Sequence, residues 1–241
     1  MQTIYALIED FRIRLNQQDN PGIQRVILFG SASYDDFIMG YSDLDIFVCM
    51  DVASPEEVLE KLVGLKEISR EVFPIKNIDY TVIRAHELEC SRLLTLNPFI
   101  YEEIRLGLRI YGPQLPDVYT NDQLRRDSLY VAAMGLRGLR AIMGSLYNAK
   151  PVMVLRRCDE LLFKSTKALL THLTGAVHSS KAQTFQCLQE WVKDADISIY
   201  KKLMDMRNKR RNNEEIYTLD YDKIFLESLI AFEKIWDEVL T

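Results

Sequence analysis

Val26-Ile27-Leu28-Phe29-Gly30-Ser31 and, after an intervening Ala32–Tyr41, Ser42-Asp43-Leu44-Asp45-Ile46-Phe47-Val48 are the two stretches on which the reading turns. Val26–Phe29 and Ile46–Val48 are short runs of β-branched, aliphatic and aromatic residues, which read as buried strands. Gly30 closes the first run. It permits a tight turn and lets a ligand approach the backbone. Ser31 adds a hydroxyl donor, and the surrounding amides can form an anion-binding nest. Asp43 and Asp45 are two residues apart, so on a strand both project from one face while Leu44 enters a core. Two carboxylates on one face repel unless a cation sits between them. Mg²⁺ meets that need, since it takes carboxylate together with phosphate oxygens.

A third acid lies further along. Asn77-Ile78-Asp79-Tyr80-Thr81-Val82-Ile83 reads as another strand, with Asp79 as its single carboxylate. If it lies beside the Asp43–Asp45 strand, three carboxylates converge, enough for two metal ions. Such a pair suits in-line displacement at a phosphorus.

Leu28-Phe29-Gly30-Ser31, eleven residues of spacer and Asp43-Leu44-Asp45-Ile46 resemble the signature of the nucleotidyltransferase superfamily, the DNA polymerase beta-like fold. Asp79 falls where that family's third carboxylate is expected. The resemblance covers roughly the first half of the chain. It implies transfer of a nucleoside monophosphate from an NTP, ATP foremost, to a hydroxyl or phosphate acceptor with release of pyrophosphate. It also implies roles: Gly30 and Ser31, with Ser42 beside them, hold phosphates; Asp43 and Asp45 bind metal; Asp79 binds metal and helps deprotonate the acceptor. The acceptor is expected to be a small molecule or a protein hydroxyl. The competing readings are an RNA-end nucleotidyltransferase and a nucleotide-binding regulatory module of a toxin–antitoxin-like pair.

Composition bounds these alternatives. The chain has 241 residues, 48% of them hydrophobic, enough for one large or two small cores. Its formal net charge of −5 disfavours a global grip on nucleic acid and leaves room only for a local patch. Cys49, Cys90, Cys158 and Cys187 show no paired spacing, so buried free thiols in a reducing cytoplasm are expected. Thr3–Gln17 carries charges in an amphipathic pattern and reads as a helix, not a signal peptide. No segment has the length and apolarity of a membrane span, so no membrane partner is expected. A homo-oligomer or a protein partner stays open.

The pattern along the chain predicts an α+β protein. A small mixed sheet flanked by helices comes first, over residues 1–113. An all-α antiparallel bundle follows, over residues 117–241. Strands are expected at Val26–Phe29, Asp43–Met50, Ile75–Ile83 and Leu108–Tyr111. Ser54-Pro55-Glu56-Glu57 reads as a helix start, with an N-cap, a proline at the first helical position and an acidic first turn; that helix runs to about Glu71. Arg84–Leu96 and Pro98–Leu106 read as further helices. Gly112-Pro113-Gln114-Leu115-Pro116 punctuates the chain. Beyond it, apolar residues at helical spacing mark five helices: Asp122–Leu146, Val152–Leu173, Ala182–Val192, Ile197–Arg211 and Tyr221–Val239. Trp191 and Trp236 are expected on apolar helix faces as core or interface anchors.

Asp159–Leu170, followed by Met206-Arg207-Asn208, resembles an HEPN-type helical domain. Catalytic HEPN ribonucleases carry an Arg followed four to six residues on by His. Asn208–Glu214 contains no histidine, and the chain's only histidines are His86, His172 and His178. The resemblance therefore implies no ribonuclease. Lys164 and Lys167, one turn apart on a predicted helix, are candidates to neutralise phosphate charge at a cleft between the two halves. Arg207, Lys209, Arg210 and Arg211 form the densest basic cluster. It reads either as a contact for triphosphate or RNA, or as a solvated helix C-terminus complementing the macrodipole.

Overall fold

A computed structural model of the chain describes residues 3–17, 22–34, 36–75, 77–89, 95–142, 151–178, 180–212 and 220–240. The chain divides into two compact units, Met1–Tyr119 and Thr120–Thr241.

The first unit is a four-stranded mixed sheet with helices on its faces. Its strands are β1 (Ile23–Phe29), β2 (Leu44–Met50), β3 (Ile78–Arg84) and β4 (Leu108–Tyr111), in spatial order β3-β2-β1-β4. Strand β2 runs antiparallel to β1 and parallel to β3, while β4 runs antiparallel to β1. The parallel step is made by the crossover helix α2 (Pro55–Val72). Its start is as the sequence indicates: the Ser54 hydroxyl accepts the Glu57 N–H at 3.2 Å, and Pro55 opens the helix. Strand β2 is covered on both faces. Leu44, Ile46 and Val48 enter one core with α1 (Ile4–Gln17) and α2, through Leu7, Phe11, Leu65 and Val72. Phe47 and Cys49 enter another with Tyr101 and Ile104 of α4 (Pro98–Arg105). That is why Ile46–Cys49 reads as an uninterrupted apolar run rather than an alternating one.

Three local expectations shift. Strand β3 begins at Ile78 instead of Ile75, because after Pro74 the chain is still turning, with the Ile75 N–H bonded to the Phe73 carbonyl. The helix expected from Arg84 is α3 over Ala85–Glu89; its expected continuation through residues 90–94, Cys90 included, lies outside the described residues. The chain after Gly112 packs back onto the first unit: Leu115 is buried in its second core, and the Tyr101 hydroxyl donates to the Pro116 carbonyl at 2.8 Å.

The second unit is all helical among the described residues: α5 (Asn121–Ile142), α6 (Pro151–Thr174), α7 (Lys181–Trp191), α8 (Ser198–Arg211) and α9 (Tyr221–Leu240). Met143 and Leu146, expected on α5, lie outside the described residues. Helices α5 and α6 pack closely because Gly135 has no side chain: a Cβ there would stand 1.7 Å from the Ser165 hydroxyl. A reciprocal capping box at Ser180 and Gln183 starts α7. Of the two roles expected for Trp191, the core one does not hold. Trp191 is 51% exposed, because the buried stripe of α7 ends at Cys187 and Leu188 and the chain then turns in Val192 instead. Cys49, Cys158 and Cys187 are buried and free; burial pushes the Cys158 thiol up to about 12.

Candidate active site

The topology of the sheet brings the two signature stretches to one end. β1 leaves the sheet where β2 enters it, since they are antiparallel, and Phe29 pairs with Asp45. β3 enters at the same end as β2, since these two are parallel, and Asp45 pairs with Asp79. Residues in register on neighbouring strands project from the same face, so Asp45 and Asp79 share one. Asp43 stands just before β2, two residues from Asp45. Asp43 and Asp45 are half-buried and Asp79 is exposed.

Gly30 lies directly against this acidic edge. Its φ is +64°, a left-handed conformation that an L side chain adopts only at a cost. A Cβ on Gly30 would stand 2.6 Å from Oδ2 of Asp45. The absent side chain is thus what admits the Asp45 carboxylate against the backbone. Gly30–Ser33 forms a single 3-10 turn after β1, with Ser31 half-buried and the Ser33 hydroxyl donating to the Gly30 carbonyl at 2.9 Å. Ser42 has a role that the sequence reading missed. Its hydroxyl accepts the Ile38 N–H at 3.0 Å, while its own N–H donates to the Ile38 carbonyl at 2.9 Å. Ser42 therefore clamps the turn that delivers Asp43, a local hydroxyl-to-backbone pattern typical of serine in turns.

The donor set fits a hard divalent cation in its chemistry, being carboxylate oxygen throughout. Among the described residues, however, no three or more His, Cys, Asp or Glu side chains are close enough together to hold a metal ion. Shared register brings Asp45 and Asp79 to neighbouring strands, and like charges without a cation between them favour separation.

The cations of the second unit divide. Lys164 is exposed on α6 and borders a groove between α5 and α6 with Arg157 and Leu161. Lys167, one turn on, is half-buried. Its charge and burial together hold the His178 imidazole below its usual range, burial being the larger cause. Arg207 fits neither of its two expected readings. It is buried at 9% exposure and paired with Asp159, itself 1% exposed; the Lys181 ammonium binds the same carboxylate oxygen at 2.8 Å. Lys181 also lies over the Phe163 ring, 4.6 Å from its centre. The signal in the sequence was Asp159 itself, a carboxylate between Cys158 and Leu162 on a face that otherwise reads apolar.

Comparison with known proteins agrees with this geometry. Residues 8–106 match the family model of the nucleotidyltransferase domain. The solved structure of spectinomycin adenyltransferase from Enterococcus faecialis, with ATP and spectinomycin, superposes at a TM-score of 0.59. It covers 98% of this chain and 99% of that one, at 12% sequence identity. No curated protein matches the sequence. The matched span holds the whole of β1, β2 and β3 with Gly30, Asp43, Asp45 and Asp79, so residues 8–106 belong to the nucleotidyltransferase domain family and the chain that carries them is a transferase.

Proposed function

We propose that this enzyme transfers a nucleoside monophosphate from an NTP to a hydroxyl of a small acceptor, releasing pyrophosphate. The observation that carries the reading is the closure of Gly30 onto the Asp45 carboxylate, with Asp79 in register beside it. Gly30 and Ser31 receive the phosphates where the backbone lies bare. Asp43 and Asp45 would hold Mg²⁺, with Asp79 at its side. When bound, that ion supplies positive charge against the triphosphate. Asp79 is the exposed member of the three, so it is the one that an acceptor hydroxyl reaches and the one that takes its proton.

ATP is the first donor to test, since the structurally similar adenyltransferase was solved with ATP, and an aminocyclitol of the spectinomycin type is the first acceptor. A net charge of −5 favours a small acceptor over an RNA end. The test incubates the protein with Mg²⁺ and each labelled NTP, with and without a panel of hydroxylated acceptors. Pyrophosphate release and a labelled acceptor are expected. Label appearing only at the end of an RNA would replace the small-molecule reading. NTP binding with no release under any condition would reduce the domain to a nucleotide sensor.

A further inference from the structure

Helix α9 is buried along one side through Ile224, Phe225, Leu229, Phe232 and Ile235. Another side carries Lys223, Leu226, Ile230 and Glu233, at intervals of three, four and three residues, the spacing of a helix–helix seam. Leu226 is 49% exposed and Ile230 44%. They lie one turn apart and form one apolar patch. Single exposed aliphatics are ordinary on protein surfaces. An adjoining pair on a seam, with a cation at one end and an anion at the other, is ordered.

The order of the charges identifies the occupant. In an antiparallel pairing of two α9 helices, a two-fold axis midway between Leu226 and Ile230 sets Leu226 against Ile230 of the second copy. The same axis sets Lys223 against Glu233. Each contact is made twice, as an isologous interface requires. Sliding the helices by one turn puts Leu226 against Lys234. A parallel pairing puts Lys223 on Lys223 and Glu233 on Glu233. Of these arrangements, the first alone matches apolar with apolar and Lys223 with Glu233; Asp237, farther along the same stripe, falls beyond the described part of the second copy's helix. The existing partners do not compete strongly: Glu233 meets Arg140 at 2.8 Å and Lys223 meets Glu227 at 4.0 Å, both solvent-exposed pairs that contribute little.

We infer that the exposed face of α9 binds a second copy of this chain in an antiparallel dimer. A seam of this size falls short of the roughly 800 Å² per partner of a stable interface, so the dimer is weak and concentration-dependent. The inference stands apart from the transferase reading.

Sedimentation of the full chain over about a hundred-fold range of concentration tests it. The expected result is a mass rising from monomer toward dimer. Leu226→Asp/Ile230→Asp should stay monomeric with an unchanged circular dichroism spectrum, and the milder Lys223→Glu should raise the dissociation constant severalfold. In a Cys90→Ser background, oxidation of a mixture of Leu226→Cys and Ile230→Cys chains should give a disulfide-linked dimer that neither variant gives alone. A chain that stays monomeric throughout, a dimer untouched by these substitutions, or equal cross-linking in the unmixed variants would overturn the inference.

Discussion

Replacing Gly30 with alanine adds one methyl group where β1 meets the acidic edge, and two separable costs follow. The first is conformational: at φ +64° an L residue costs about 1–2 kcal/mol. For a chain of this size that lowers Tm by about 2–8 °C. The second is local. The added Cβ would stand 2.6 Å from Asp45 Oδ2, and ordinary contact begins at 3.4 Å, so the carboxylate must retreat by roughly 0.8 Å. A displacement of that order at a reacting centre costs on the order of a hundredfold in rate. Gly40→Ala separates the two. Gly40 has φ +77°, but nothing lies within 4 Å of a Cβ placed on it. Both variants should therefore melt a few degrees early, while only Gly30→Ala loses about two orders of magnitude in pyrophosphate release at saturating Mg²⁺ and NTP. Equal activity losses in the two variants, or wild-type turnover in Gly30→Ala, would show that contact with Asp45 is not what Gly30 provides.

Further outcomes follow from the same structure. Asp45→Asn should abolish transfer while leaving Tm unchanged or slightly raised, because it relieves repulsion with Asp79; wild-type turnover at saturating Mg²⁺ would refute its role. Asp159→Ala leaves Arg207 and Lys181 buried without their shared carboxylate and should cost about 3–5 kcal/mol, read as a fall of about 6 °C or more in thermal melts. The helical unit should cleave no RNA, since Arg207 is committed to Asp159 and the segment after it has no histidine; cleavage that survives Asp45→Asn and disappears in Arg207→Ala would overturn this. His178 is held below its ordinary value of about 6.5, so the unfolded chain binds the extra proton first. The stability tied to its neutral form is present above that pH and lost as pH falls through it, and His178→Gln should flatten the melting curve's pH dependence between about pH 7 and 5.

Much of the site was legible because its parts are local in sequence. A glycine after an apolar run and two aspartates at i and i+2 announce a bare backbone and a shared face without any knowledge of the fold. The α2 start was equally plain, since Ser54 and Pro55 act on their own neighbours. What lay hidden depends on residues far apart. Nothing within Asn77–Ile83 says that Asp79 will register with Asp45. That follows from the crossover through α2, which makes β2 and β3 parallel. The Asp159–Arg207–Lys181 cluster joins three helices, and a basic run at a helix end looks the same whether it faces water or a buried acid. Ser42 has a local role that its neighbour Asp43 masks in the sequence: its hydroxyl accepts the N–H of Ile38, four residues back.

The sheet also explains why this end carries the acids. Both faces of β2 are buried beyond Leu44, from Ile46 to Met50, so a carboxylate farther along the strand would enter a core and meet a desolvation cost with no partner. Only at the first residues does the strand leave cover, and there Asp43 and Asp45 are half-buried. Half-burial is the useful compromise. It removes enough water to strengthen electrostatic interactions there, yet leaves the carboxylates reachable. Gly30 extends the same logic to the neighbouring strand, because any side chain there would take the space the Asp45 carboxylate occupies. The apolar run that fills the cores and the acids that precede it are therefore one design: hydrophobic pairing of β1, β2 and β3 fixes the register, and register sets Asp45 and Asp79 side by side at the end where β2 leaves cover.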